Sequence, residues 1–169
     1  FVLARHEQAA AFMAATVGRL TGRPGVCLST LGPGATNLVS GVADAYLSNL
    51  PMVALVAQAG AARRDPPQKQ VLDLLAMFRP ITKKAMDVGD PDDVPISVRK
   101  AFRTASAERS GPVMLQLPED VMKKEATGTP SLPSKRRSRR AAEAELVVVR
   151  DIILSSKRPL VMAGHGKLR

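Results

Sequence analysis

Apolar residues recur along this chain with two different periods, and the alternation between them predicts its elements. From Glu7 to Leu20, Met13, Val17 and Leu20 fall at i, i+4 and i+7, the stripe of an amphipathic helix. Gly22 and the turn Arg23-Pro24-Gly25 stop it. The short apolar run from Val26 to Leu28, with Ser29 and Thr30, is bounded by turn residues and predicts a strand buried on both faces. After a Gly-rich loop, a second helix runs from Ala35 to Leu47 with Leu38, Val42 and Tyr46 along one side. Met52 to Ala57 predicts a second buried strand. Gln58 to Lys69 is polar, and Pro66 and Pro67 interrupt any regular element there.

A short helix carrying Val71, Leu74, Leu75 and Phe78 and a strand from Ile81 to Ala85 continue the alternation. Asp90-Pro91-Asp92-Asp93 reads as a helix start: Asp90 can cap free amides, Pro91 fits the first turn and the carboxylates oppose the dipole. That helix has Val94, Val98 and Phe102 at i, i+4 and i+8, and Val113 to Leu117, ended by Pro118, is the next buried strand. Strands alternating with helices predict an α/β fold, a parallel sheet with helices on both faces, over residues 1–123. From Lys124 to Arg140 the composition turns to Thr, Gly, Pro, Ser and basic residues, which cannot bury enough apolar surface to order themselves, so 124–140 reads as a linker. A helical pattern through Leu146, Val147, Ile153 and Leu154, the strand-like Pro159 to Ala163 and the turn Gly164-His165-Gly166 make 141–169 the start of a second α/β domain.

The 169 residues exclude two complete large domains. Lys and Arg number 25 against 15 Asp and Glu, a net charge of +10 that by itself points to an acidic partner such as nucleic acid or a membrane surface. Location changes that picture, because half of the excess lies between Lys124 and Arg140. A solvated linker is the better reading of the run Lys135 to Arg140. With four Phe and one Tyr, none interleaved with the arginines, base stacking has little support. A basic non-catalytic module that binds nucleic acid or acidic protein is the alternative of a different class. Cys27 is the single cysteine, which excludes an intrachain disulfide or a Cys-based zinc site and favours a cytoplasmic setting. His6 and His165 are too few for a histidine cluster, so no metal site is expected within the chain. No apolar run approaches the roughly 20 residues that span a bilayer. Phe1 begins without an initiator Met or a signal-peptide pattern, so the chain reads as a fragment.

Two places could carry chemistry. Thr30 to Asn37 lies where a strand ends and a helix begins, the position at which open parallel sheets collect ligands on free amides beside glycine. Gly32, Pro33, Gly34 and Asn37 do not form a dinucleotide fingerprint, since Asn37 replaces the third Gly or Ala, and no Lys-Ser/Thr follows to make a phosphate loop. A tight turn without ligand, or a phosphate site in a regulatory domain, remains open on pattern alone. Glu7 opens the first helix between His6 and small residues. It is a surface group favoured by the dipole, or a carboxyl held in a crevice to exchange a proton with a heteroaromatic ring. Burial would raise its pKa and the helix start would lower it.

Arg5-His6-Glu7, then Gly25-Val26-Cys27, Gly32-Pro33-Gly34-Ala35-Thr36-Asn37, Asp44-Ala45 and Pro51-Met52-Val53-Ala54 together resemble the pyrimidine-binding domain of thiamine diphosphate enzymes, in the acetolactate synthase large-subunit branch. Gln70 with Phe78 to Lys83, and Gly111 to Leu117 with Pro118 to Val121, extend the resemblance over almost the whole first domain. Arg158 to Gly166 resembles the first strand of that family's central domain. The ordered set is specific to the superfamily where any one motif would be weak.

The resemblance implies a thiamine diphosphate-binding fold and assigns roles. The matching glutamate, Glu7, hydrogen-bonds a ring nitrogen of the cofactor's aminopyrimidine and drives its amino group to the imino form that deprotonates the thiazolium, so Glu7 is the expected catalytic residue. Pro33 and Asn37 would line the aminopyrimidine pocket, Gly32 and Gly34 would let the backbone come close, and Gln70 would face the reacting end of the cofactor. The implied reaction joins two 2-oxo acids with loss of carbon dioxide, pyruvate giving 2-acetolactate; another 2-oxo acid decarboxylase or carboligase is the alternative. Mg²⁺ and the diphosphate would be held by a C-terminal domain outside this chain, and a second copy of the subunit would complete the cofactor site. A regulatory subunit and FAD are further partners that the resemblance allows, with Arg63 and Arg64 as flavin contacts if they are not simply solvated. Lys69 departs from the Phe or His expected before Gln70, which bears on acceptor recognition. Cys27 is expected to be packing, and His6 either orients Glu7 or ends its helix. The isolated fragment is expected neither to bind the cofactor tightly nor to turn over substrate.

Overall fold

The structure is a computed structural model that describes residues 1–64, 68–128, 141–162 and 164. The chain divides into two compact units, residues 1–133 and 134–169. The first holds helix α1 (Glu7–Thr21), strand β1 (Gly25–Ser29), α2 (Pro33–Leu47), β2 (Met52–Gln58), α3 (Leu74–Phe78), β3 (Lys84–Asp87), α4 (Val94–Ser106), β4 (Pro112–Pro118) and α5 (Glu119–Met122). The strands form one parallel sheet in the order β1-β2-β4-β3. The central strands β2 and β4 are nearly continuous apolar runs because both of their faces are covered. On one face Met52, Ala54, Val56 and Met114 pack with residues of α1, α2 and α3. On the other, Val53, Val113 and Leu115 pack with Ala101 and Ala105 of α4. The expected α/β architecture, a parallel sheet with helices on both faces, is the one observed.

Several local expectations are corrected. Helix α1 buries Ala11, Ala14, Ala15 and Gly18, whereas the stripe Met13, Val17 and Leu20 is exposed. The cause is close approach. Gly18 lies against the Pro51 carbonyl and Gly25 against the Ala14 backbone, and a Cβ on Gly41 of α2 would stand 2.5 Å from Cβ of Ala11, so only small side chains fit between these elements. Tyr46 of α2 is likewise exposed while Leu38 and Val42 are buried. Strand β1 is not covered on both faces. It is the edge strand, and on the α4 side of the sheet Val26 and Leu28 remain 49% and 53% exposed while Cys27 and Ser29 are buried on the other side. Strand β3 starts at Lys84 rather than Ile81, because Arg79–Ile81 forms a 3₁₀ turn and the Thr82 hydroxyl donates back to the Phe78 carbonyl at 2.7 Å. Asp90 caps as expected, accepting from the Asp92 amide at 2.8 Å, but Pro91–Asp93 is a 3₁₀ turn and α4 follows it.

In the second unit, helix α6 (Glu143–Ser155) forms where the apolar period placed it, and Glu145 accepts from the Ala142 amide at 2.9 Å. The expected strand over Pro159 to Ala163 is not seen at Pro159–Met162, which is exposed and pairs with no strand among the described residues. A strand requires a ladder partner. Ala163, His165, Gly166 and the basic run Lys135 to Arg140 lie outside the described residues.

Candidate active site

The helix starts of α1 and α2 meet at the carboxyl end of β1. His6 is the N-cap of α1, its Nδ1 accepting from the Gln8 amide at 3.2 Å, so the imidazole is committed to ending the helix. Glu7 follows as the first helical residue and is half-buried. Across from it, α2 begins with Gly32 at φ +59 and Pro33 in its first turn. Asn37, one turn further along α2, donates from Nδ2 to Oε2 of Glu7 at 3.0 Å.

The two glycines are required by what surrounds them. A Cβ on Gly34 would stand 2.6 Å from Cγ2 of Thr30 and 3.2 Å from Oε1 of Glu7. A Cβ on Gly32 would stand 2.7 Å from the carbonyl oxygen of Gln70, in addition to the strain of its positive φ. Gln70 itself is left-handed, at φ +67, and exposed. The fold thus joins Glu7, Gly34 and Asn37 in one cluster and sets Gln70 against Gly32. Pro33 is exposed beside them.

The charge state of Glu7 follows from its partners. The hydrogen bond from Asn37, and then a backbone hydrogen bond at Glu7, hold its carboxyl below the usual carboxylate range against a rise from burial, with His6 the smallest contribution. An anionic carboxylate with Oε2 engaged by Asn37 and Oε1 beside the bare backbone of Gly34 is an acceptor that fits a protonated ring nitrogen of an aminopyrimidine. Cys27 is packed in the core, and burial pushes its thiol up to about 12. The Ser29 hydroxyl, buried at the end of β1, has no hydrogen-bond partner among the described residues.

Arg63 and Arg64 are not simply solvated. Arg63 pairs with Glu119 at 3.3 Å, and Arg64 pairs with Asp87 at 3.2 Å and donates from Nε to the Ala59 carbonyl at 2.8 Å. Lys69 is exposed. Gln58, expected to open the polar loop, is instead the buried last residue of β2, and Gln116, buried near the end of β4, was not singled out by the sequence. Their signal was a long polar side chain interrupting an apolar strand near its carboxyl end.

A glycine turn between a parallel strand and a helix thus faces a helix-start carboxylate at the carboxyl end of β1. Residues 1–77 match the thiamine pyrophosphate enzyme N-terminal TPP binding domain. Similarity extends further along the chain. It is 37% identical over 172 residues to the probable acetolactate synthase large subunit of Methanocaldococcus jannaschii, covering 98% of this chain and 29% of that protein. It is 41% identical over 165 residues to the acetolactate synthase of Bacillus subtilis, covering 96% of this chain and 29% of that one. With acetolactate synthase 2, chloroplastic, of Zea mays, identity is 41% over 170 residues, 97% of this chain and 27% of the relative. The chain belongs to the thiamine diphosphate-dependent enzymes, in the family of acetolactate synthase large subunits. It spans less than a third of the length of these curated relatives.

Proposed function

We propose that this chain is the pyrimidine-binding part of a thiamine diphosphate-dependent carboligase that condenses two 2-oxo acids with loss of carbon dioxide, taking pyruvate to 2-acetolactate. The observation that carries the reading is the Glu7 carboxylate, fixed by Asn37 and flanked by Gly34. When bound, thiamine diphosphate supplies a carbon nucleophile and then accepts the electrons freed by decarboxylation. Glu7 exchanges a proton with a pyrimidine nitrogen, while Asn37 keeps Oε2 in place. Gly32 and Gly34 let the backbone approach the ring, Pro33 lines the same edge, and Gln70 faces the reacting end. The diphosphate and Mg²⁺ are held by another part of the longer protein, and a second copy of the subunit completes the site. Arg63 and Arg64, engaged in ion pairs, give a flavin contact no support.

Lys69, exposed next to Gln70, favours a second reading within the family. A cation there would suit a different 2-oxo acid or acceptor, or a decarboxylase that does not ligate. The test uses the full-length protein with thiamine diphosphate, Mg²⁺ and pyruvate, with products identified by NMR for wild type and Glu7→Gln. Acetolactate from the wild type, with turnover in Glu7→Gln down by about a hundredfold or more and the fold intact, is the expected result. Acetaldehyde, or no product from a cofactor-bound protein, would transfer the assignment to the second reading.

A further inference from the structure

We propose that Gln58, Gln116, Asp87 and Arg64 form a closed hydrogen-bonded relay whose task is to position the loop that carries Gln70. The inference rests on the reading that Gln70 faces the reacting end of the cofactor, and it makes the four side chains positioning residues. The relay starts at Gln58, 2% exposed at the end of β2. Its Oε1 accepts from the Ala59 amide at 2.9 Å and its Nε2 donates to the Leu72 carbonyl at 3.0 Å, so one side chain ties the start of the loop to its far end. These two backbone partners fix which way the amide points.

That orientation propagates outward. Nε2 of Gln58 also donates to Oε1 of Gln116 at 3.3 Å, which turns Nε2 of Gln116 toward β3 and demands an acceptor there. Asp87 provides it, Oδ1 accepting at 3.0 Å. Oδ2 of Asp87 takes the Arg64 guanidinium at 3.2 Å, and Nε of Arg64 returns to the carbonyl of Ala59 at 2.8 Å. The circuit therefore begins and ends on Ala59, with every donor facing an acceptor. A network satisfied in this way specifies one arrangement, because a flipped amide would leave a buried donor facing a donor. The loop it holds delivers Gln70, in a left-handed conformation, against Gly32.

The test is a swap in the full-length protein. Gln116→Glu alone sets a second carboxylate against Asp87. Gln116→Glu with Asp87→Asn restores the pattern with the same net charge, the relocated carboxylate accepting from both sides and the new amide offering its oxygen to Arg64. Three readouts apply: hydrogen exchange of the amides of residues 68–74, thiamine diphosphate affinity by calorimetry with Mg²⁺, and kcat with pyruvate. In the single variant we expect exchange to rise and kcat to fall, each by about tenfold or more, with cofactor affinity held within about twofold. The double variant is expected to recover both. Unchanged exchange in the single variant, or a double variant no better than the single, overturns the relay. Should Gln116→Glu not fold, Asp87→Asn, at a partly exposed position where a donor would then face Arg64 or Gln116, is read in the same way. Gln70→Ala separates the two ideas. If it leaves kcat and product unaltered, the role given to Gln70 fails, while the exchange data still decide the relay.

Discussion

Nδ2 of Asn37 donates to Oε2 of Glu7 at 3.0 Å, binding the second turn of α2 to the first residue of α1. The bond crosses two helix starts that the small residues of α1 and the glycines of α2 bring together. It engages Oε2 of Glu7 and holds the carboxyl below the usual carboxylate range.

Removing the donor should therefore move the acid. In Asn37→Ala the Glu7 carboxyl is expected to titrate higher than in the wild type, as read by carboxyl-carbon NMR across an acid titration. The linkage has a definite sign. A carboxyl depressed in the folded state contributes stability above its unfolded pKa, and that contribution is lost as pH falls through the depressed folded value. Asn37→Ala should thus lose less stability than wild type between neutral pH and about pH 3 in urea titrations. Equal losses in both proteins would show that Asn37 does not hold the charge.

Glycine substitutions separate conformational need from steric need. Gly32→Ala meets both a positive φ and the Gln70 carbonyl, and it should cost at least about 1 kcal/mol of stability. Gly34→Ala has no positive φ but presses on Thr30 and on Oε1 of Glu7, so its main effect should be on cofactor affinity in the full-length protein. Gly89→Ala, where nothing lies within 4 Å, is the control and should stay within about 0.5 kcal/mol of wild type. Thermal unfolding and calorimetric titration measure the three together. A Gly89→Ala cost equal to that of Gly32→Ala would contradict the steric account.

How legible these features were depends on what carried them. Strands β2 and β4 could be read because a central parallel strand is apolar on both faces, and few other elements look like that. The inward face of α1 could not, since large residues ordinarily mark the core, and here Ala11, Ala14, Ala15 and Gly18 mark it instead. Val26 and Leu28 misled for a related reason: apolar side chains on an edge strand carry no sign of whether anything covers them. Gly32, Gly34, Asn37 and Glu7 were legible as a motif, but the hydrogen bond that joins Asn37 to Glu7 spans thirty residues and appears only in the fold. The relay was invisible because its members come from β2, β3, β4 and a loop, with no common spacing.

Asp92 offers a pH-dependent tether of Thr127 and Gly128, toward the end of the first unit. Its Oδ1 accepts from the Thr127 amide at 2.6 Å and the Gly128 amide at 2.9 Å, and Oδ2 accepts from the Thr127 hydroxyl at 2.8 Å. These donors hold the carboxyl below the usual Asp range. The tether is accordingly complete above the ordinary Asp pKa and lost as pH falls through the lowered value. In Asp92→Ala the amides of Thr127 and Gly128 should exchange about as fast as unstructured chain at neutral pH. Wild-type protection of both amides that persisted in Asp92→Ala would place their partners elsewhere.

Cys27 is expected to stay unreactive in the native protein, and that silence tests the packing of the site's supporting face. The side chain lies in the core between β1 and the helices that carry Glu7 and Asn37, opposite Ala54 in the ladder. With its thiol pushed up to about 12, almost no thiolate exists at neutral pH, and burial denies a reagent access to what there is. Modification by a maleimide must then wait for an opening of the fold that separates α1 and α2 from the sheet. We expect labelling of the native protein to be slower than in denaturant by about a thousandfold or more. We also expect Gly41→Ala, which forces α2 away from Ala11, to speed it in step with the loss of stability. Rapid native labelling would mean that α1 leaves the sheet easily, and a helix that loose could not keep Glu7 within hydrogen-bond reach of Asn37.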